Sequence, residues 1–517
     1  MNLSNKIIAI TTLLCVSFGA CKKENLVELN INKNASTEID MGYLLAYGQL
    51  RVAGSRYESW RTNLIYSSTM IQHNATLQGY WSGDKYYYNS QYSGAYWERH
   101  YPDAIKHLTH VVDETAADPR MANYHAAAQI TRAFDLHRMT DIYGDIPYSE
   151  AGRGIEGQAY WFPKYDSQQD VYKSLIADIK AARDGFSPNA KALGSQDVLF
   201  SGDLTKWRKF ANALLMRIAM RMSKVDEATA KAVFTEAANS GAIDSNASNA
   251  FLKQALGTGG DVNYNGTSLA MSNAAGGGGD NNAKISKTFM DWMNATKDPR
   301  KMIIVGGKGN PYSDRSTWNT DPDAQIGLPN GYTTTTIKNI VPDFTTVHAY
   351  SFINPAIIEL DDPTPFISYA EVEFMLAEAA LKGWISGSAE EHFKKGVEGA
   401  ITSWSWFGVN VPSAAAINTY IDGLGFGAAS ATDKMRLIGE QYWAATYLNH
   451  IESWCNWRRT GYPVLTPVND PNNITGGTIP RRLRYYEDEI GSNPKNYQEA
   501  IGRQGEDLLT TRVWWDK

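Results

Sequence analysis

Cysteine is almost missing. Three occur in 517 residues, Cys15, Cys21 and Cys455. Cys15 lies inside an N-terminal apolar run and Cys21 closes it, so no internal disulfide framework can be built from what remains. An excess of basic charge is missing too. Lys and Arg number 49 against 55 Asp and Glu, a formal net charge of −6, which leaves no footprint for nucleic acid. Beyond the N-terminal run, no apolar stretch reaches the roughly 20 residues of a membrane-spanning helix. The glycine run Gly276 to Gly279 has no Lys-Ser/Thr after it and no strand before it, so it reads as a loop and not a phosphate cradle. No HExxH is present, and no stretch singles out the two opposed carboxylates that glycoside hydrolysis needs. His137 and Asp141 share a helix face four residues apart, but two residues without a third ligand do not make a metal or acid–base site.

What is present begins with an export signal. Asn5-Lys6 is a short polar, positive start, and Ile7 to Ala20 is an apolar run of about fourteen residues, the length of a signal-peptide core. The run ends Ser17-Phe18-Gly19-Ala20-Cys21, small residues before a Cys, which resembles a bacterial lipobox with Cys21 as the lipidated first residue. Phe18 stands where Leu is usual. The alternative is ordinary cleavage after Ala20 with a free Cys21. Residues 21 to 37 are polar and Asn-rich and read as a tether, so the sequence predicts a chain anchored by lipid. Cys455, between Trp454 and Trp457, reads as a small buried hydrophobe.

Helical periodicity organises most of the remainder. Met121 to Tyr143 reads as one buried helix, stopped by Gly144 and Pro147. Its exit carries Asp141, Tyr143, Asp145, Tyr148, Ser149 and Glu150, either a functional site or a structural corner. Helices are expected at Met41 to Ser59, Ile65 to Gln72, Trp97 to Thr115, Gln168 to Gly185, Asp203 to Met222 and Val225 to Ser240. They resume at Ile367 to Gly383, Ala389 to Trp406, Thr432 to Arg458 and Pro494 to Ile501. Asp203 is a good N-cap for an apolar stripe running from Trp207 to Met222, whose charges read as a solvated face or inter-helix pairs. Hairpins of about 35 to 45 residues at both ends suggest a tetratricopeptide-like array, although no clean repeat signature is present. The expected fold is mainly α. A helical scaffold covers about 38–241 and 364–517, and a loop-rich insertion about 242–363, within one domain from 38 to 517.

Aromatics are 12% of the chain, with 29 Tyr and 15 Trp, more than a core needs. They concentrate in Asn74 to Tyr96, where Tyr80, Trp81, Tyr86, Tyr87, Tyr88, Tyr92 and Tyr96 are spaced by Gly, Ser, Asn and Asp without helical period. The stretch reads as an exposed aromatic loop and a candidate binding surface.

Several stretches together resemble the SusD/RagB family of outer-membrane lipoproteins of the Bacteroidetes. They are TDIYGDIPYSEA from Thr140 to Ala151; the helix carrying Trp207, Phe210, Asn212, Arg217 and Arg221; and SYAEVEFMLAE from Ser368 to Glu378. Glu440 to Trp443 with Trp454 and Arg458, and IPRRLRY from Ile479 to Tyr485 with Asn493, Asn496 and Tyr497, complete the ordered set. The resemblance implies four tetratricopeptide-like hairpins under a variable, loop-rich face. It implies a non-catalytic protein that captures oligosaccharide, or in some members peptide, and delivers it to a SusC-like TonB-dependent transporter. It also makes the Asp141 to Glu150 corner scaffold, with Asp141, Asp145 and Tyr148 satisfying buried backbone groups.

Sugar rings stack their C–H faces on Trp or Tyr while their hydroxyls need polar partners. The expected ligand contacts are therefore Trp81, Tyr80, Asp84, Tyr86, Tyr88 and Asn89, with Lys85 beside them. Tyr264 with Asn263, and Trp318 with Asn319 and Asp321, are expected from the insertion. Some of these aromatics could instead pack beneath the loop or against the transporter. Sugar binding is favoured over peptide capture, which would show backbone-pairing strands or a charged groove, and over a surface glycoside hydrolase. No cofactor is expected. Asp314, Asp321 and Asp323 form an oxygen-rich run that could hold a structural Ca²⁺, without the Gly and Glu positions of an EF-hand.

Overall fold

The helix ends show how closely local chemistry is followed. A computed structural model describes residues 39–256, 264–271, 283–309 and 314–517. The signal, Cys21, the tether up to residue 37, the Gly276 to Gly279 run, Asn263 and Tyr312 lie outside them. The longer helices are α1 (Met41–Ala53), α2 (Ser59–Ser68, wound as a π-helix), α3 (Ser90–His100), α4 (Lys106–Thr115), α5 (Ala122–Tyr143), α6 (Gln168–Gly185), α7 (Leu204–Met222) and α8 (Glu227–Asn239). After these come α9 (Gly266–Met271), α10 (Lys287–Thr296), α11 (Tyr369–Leu381), α12 (Ala389–Thr402), α13 (Ala414–Gly423), α14 (Ala431–Ala445), α15 (His450–Thr460) and α16 (Pro494–Gln504). Among the described residues, six short strands make three antiparallel pairs: β1 (Asn74–Ala75) with β3 (Lys284–Ile285), β2 (Ala250–Leu252) with β6 (Thr364–Ile367), and β4 (Val305–Gly307) with β5 (Phe352–Ile353).

The protein is mainly helical, as expected, and Met41–Lys517 forms one compact unit. Neighbouring helices pack in sequence: α4 on α5, α5 on α6, α6 on α7, α7 on α8 and α11 on α12. Asp203 caps α7 by accepting from the amides of Thr205 and Lys206, and Trp207, Phe210, Leu214, Leu215, Ile218 and Met222 are all buried. Gly144 ends α5 at φ +90°, its N–H on Thr140 O, and a Cβ there would strike the Gln504 carboxamide, so only glycine fits the turn.

The expected helix from Thr432 to Arg458 is two. The break at Thr446–Asn449 holds Leu448 at φ +76°. No Gly or Pro announces it. Asn63 of α2 captures both sides, donating to Leu448 O (2.9 Å) and accepting from Ile451 N (3.2 Å). The insertion is more ordered than its composition suggests. Ser286 caps α10, whose Phe289, Met290 and Met293 are buried. The β1–β3 pair ties the aromatic stretch directly to the insertion. Helix α13 was not anticipated.

The corner after α5 is scaffold. Asp141, buried, accepts from Arg221 Nε (3.1 Å), Trp515 Nε1 (2.9 Å) and the Tyr172 hydroxyl, and its carbonyl accepts from Arg458 (2.7 Å). Its carboxylate thus serves side chains and not the backbone groups expected. Tyr148 likewise donates to Asp178, and only Asp145 answers a backbone donor, Gln168 N (2.9 Å). Arg217 and Arg221 are inter-helix partners. Arg221 reaches Glu452 at 2.6 Å, and Arg217 pairs with Glu371. Burial alone would raise the Glu452 carboxyl, but Arg217 and Arg221 hold it down at about 2. His137 lies 3.5 Å from Asp141, and burial lowers its imidazole to about 4, leaving it neutral.

Candidate functional site: an aromatic and guanidinium surface

The expected exposed loop is mostly buried, and this corrects the sequence reading. Trp81 and Asp84 are 0% exposed, Lys85 is equally closed off, and Tyr86 is buried. The cause is a contact far along the chain. Asp84 accepts from Asn330 Nδ2 (2.6 Å), Gly331 N (3.1 Å) and Lys85 Nζ (2.9 Å), while Asn330 also donates to Asn74 O (2.8 Å). Lys85 spends another proton on Thr76 O (3.1 Å). A buried carboxylate needs such partners, and supplying them draws the segment under the insertion. The one-turn helix Ser82–Lys85 sits so close to α2 that a Cβ on Gly83 would meet Ile65 O at 2.4 Å. Tyr86 continues the anchoring, its hydroxyl accepting from Val468 N (3.2 Å). Tyr88, half-buried, lies under the Arg484 guanidinium at 4.0 Å. Asn89 is the N-cap of α3, accepting from Tyr92 N (3.0 Å).

Tyr80 is the exception, 41% exposed. Its ring lies 6.2 Å from Trp60, and Trp60 lies 5.7 Å from Tyr92. Trp60 and Tyr92 are half-buried. Two guanidiniums flank the group: Arg61 sits 5.0 Å from the Trp60 centroid and 3.7 Å from that of Tyr57, and Arg56 5.6 Å from Trp60. The Tyr57 hydroxyl donates to Glu98 (2.6 Å). Partial burial, with that carboxylate beside it, raises its pKa, while burial lowers that of Arg61. Both stay in their hydrogen-bonding forms at neutral pH. Rings are thus held at fixed tilts with donors between them, the combination that recognises a ring with an apolar face and a polar edge.

Trp60 was missed from sequence. Its signal was local: Tyr57, Trp60 and Arg61 stand at i, i+3 and i+4 and share a helix face. In the insertion, Trp318, expected as a ligand contact, is buried and stacked on Phe352 at 4.8 Å. Asn319 is exposed, and its side chain accepts from Asp321 N (2.9 Å). Tyr264 is half-buried, two residues before Gly266, where a Cβ would meet the Ser55 backbone at 2.6 Å. Asp314, Asp321 and Asp323 are exposed, and the first two close their own turns on Ser316 N and Asp323 N. Among the described residues no three His, Cys, Asp or Glu gather as a metal-ligand set, and no helix is long and apolar enough to cross a membrane.

Helical hairpins thus carry an irregular face with a solvent-accessible aromatic group. Residues 33–486 match the SusD-like family described as starch-binding, associating with the outer membrane, and the chain belongs to that family. Among solved structures, one described as a chitin-binding protein shares 32% identity over 92% of this chain and 100% of its own, at a TM-score of 0.81. A SusD-like protein of the Bacteroidetes shares 27% identity over 93% of this chain and 100% of its own, at 0.80. A chitin-binding SusD homologue from Flavobacterium johnsoniae, 22% identical over 92% of this chain and 98% of its own at 0.75, shows the shared fold. No curated protein sequence matches the chain.

Proposed function

We propose that this protein is a non-catalytic surface lipoprotein of the outer membrane, lipidated at Cys21. It binds an oligosaccharide on the Tyr57–Trp60–Tyr80–Tyr92 surface and passes it to a SusC-like TonB-dependent transporter. The observation that carries the reading is the placement of Trp60 and Tyr80 on the surface, with Arg56 and Arg61 over the Trp60 ring. The ligand class is a β-linked N-acetylglucosamine chain, supported by the chitin-binding relative at 32% identity. Its rings offer C–H faces to Trp60 and Tyr80, and its acetamido and hydroxyl oxygens accept from the guanidiniums. Tyr264 is an outlying contact of the same face. Trp81, Asp84 and Tyr86 act beneath it as scaffold.

Titrating chitooligosaccharides and maltooligosaccharides while following tryptophan fluorescence tests this. The reading expects saturable binding of the former with no shortened products on prolonged incubation. Product formation, or binding of peptides in preference to saccharides, would overturn it.

A further inference from the structure

A second surface lies outside that site. The turns after the α5 corner, Gly154–Glu156 and Gln158–Tyr160, expose Ile155 at 84%, Trp161 at 60% and Phe162 at 55%. Isolated exposed apolar residues are ordinary, but three large ones within eight positions form a patch that marks an interaction site. The ridge is held in place: Trp161 Nε1 donates to Gly154 O (3.1 Å), and Arg153 lies over the Tyr160 ring at 4.8 Å. Beside it opens a cleft of about 360 Å³ between Tyr101, Pro102, Ile155 and Tyr160, with Lys106, Glu150 and Glu489 at its edge. Exposed aromatics recur on α1, which packs on α4. His107, next to Lys106, meets the exposed Tyr47 ring at 4.9 Å, and Tyr43 of α1 is exposed one turn earlier.

We propose that this ridge and cleft dock a membrane-embedded protein, the transporter inferred above, which inserts a large apolar side chain into the cleft. The inference rests on that partnership. Three observations select the occupant. A lipid surface needs no cleft, and an anionic one would select basic residues alone; here Lys106 and Arg153 alternate with Glu150, Glu156 and Glu489, a two-signed rim suited to a protein surface. A saccharide needs hydroxyl partners, whereas Pro102, Pro147, Pro163 and Ile155 supply aliphatic wall. Finally, the covalent route from Cys21 enters this unit at Met41, the start of α1, which packs on α4, and Lys106 at the start of α4 lines the cleft. About 20 residues span at most ~70 Å, which keeps α1 within reach of a membrane-embedded partner.

The test uses the full-length lipoprotein in the bacterium that makes it. A photo-crosslinking amino acid is placed at position 162 and, as control, at position 464, which is more exposed still (77% against 55%). The expected result is an adduct from 162, and not from 464, with a single protein identified by mass as a TonB-dependent transporter. Adducts with lipid or saccharide only, no adduct, or equal adducts from both positions would overturn the proposal. Independently, the surface triple variant Ile155→Ser, Trp161→Ala, Phe162→Ala should co-purify at least tenfold less transporter while binding chitooligosaccharide as the parent does. Undiminished co-purification sinks this surface and leaves the partnership standing. If the parent itself co-purifies with no such transporter, the partnership fails instead.

Discussion

The indole Nε1 of Trp515 donates to Asp141 Oδ1 at 2.9 Å, joining the last residues of the chain to the end of α5 across 374 positions. With Arg221 on the other oxygen, and Arg221 in turn on Glu452, this contact locks α5, α7, α15 and the C-terminal tail together. Asp141→Ala leaves Arg221 facing one carboxylate in place of two. Removing one partner of a buried ion pair costs about 3–5 kcal/mol. Denaturant unfolding should show that loss, and the folded fraction should bind oligosaccharide with parental affinity, because no part of this network touches the Trp60 surface.

Trp81 and Tyr80 are neighbours in sequence with opposite assignments. Trp81→Ala should cost about 3–5 kcal/mol of stability as a core truncation. Tyr80→Ala should stay within about 0.5 kcal/mol of the parent in stability and lose affinity instead. Paired unfolding curves and binding isotherms on the two variants separate these outcomes.

Mild acid should weaken the fold through one buried histidine pair. His73 and His450 are wholly buried and joined Nδ1 to Nδ1 at 2.8 Å, with His73 also on Trp443 O. Burial lowers both, His450 to about 3, and the nearby imidazole adds to the effect at His73. Unfolding returns each to an ordinary value near 6.5. The unfolded chain therefore binds more protons below that pH, and stability is full above about 6.5 and falls progressively as pH drops towards the folded values. Asp362, whose carboxyl burial lifts to about 7, works in the opposite direction over the same range, so the test is the difference: from pH 7 to 4.5 the parent's unfolding free energy should fall relative to that of His450→Gln.

Cys455 is buried, and burial, the dominant influence, pushes its thiol up to about 12. A protein made without its export signal, beginning at residue 22, should be recovered outside the membrane fraction and, with Cys455 as its single cysteine, present no thiol to a maleimide until denatured. Membrane retention of this variant, or rapid labelling of its folded form, would contradict the two assignments.

Most of the scaffold was legible because helices announce themselves locally. Asp203, Gly144 and the stripe from Trp207 to Met222 state a start, a stop and a face. The break at Leu448 was not legible, because Asn63, almost 400 positions away, makes it. The site was half legible for the same reason. Composition marked residues 74 to 96 as an exposed aromatic loop, and of its aromatics Tyr80 and Tyr92 join the surface group while Trp81, Tyr86 and Tyr96 are buried. But Trp81 and Trp60 look equally suited to ligand by residue type. What holds Asp84, three residues from the buried Trp81, is its contact with Asn330 and Gly331 across some 250 positions, which nothing beside Trp81 announces, whereas Trp60 was marked by its own neighbours Tyr57 and Arg61.

The central claim is that Trp60, with Tyr80, holds the saccharide. Isothermal titration of a chitin-derived hexasaccharide into the parent and into Trp60→Ala tests it most directly. A loss of at least tenfold in affinity, about 1.4 kcal/mol, with an unchanged unfolding midpoint is the predicted result. A Trp60→Ala protein that binds the hexasaccharide as tightly as the parent would contradict the account.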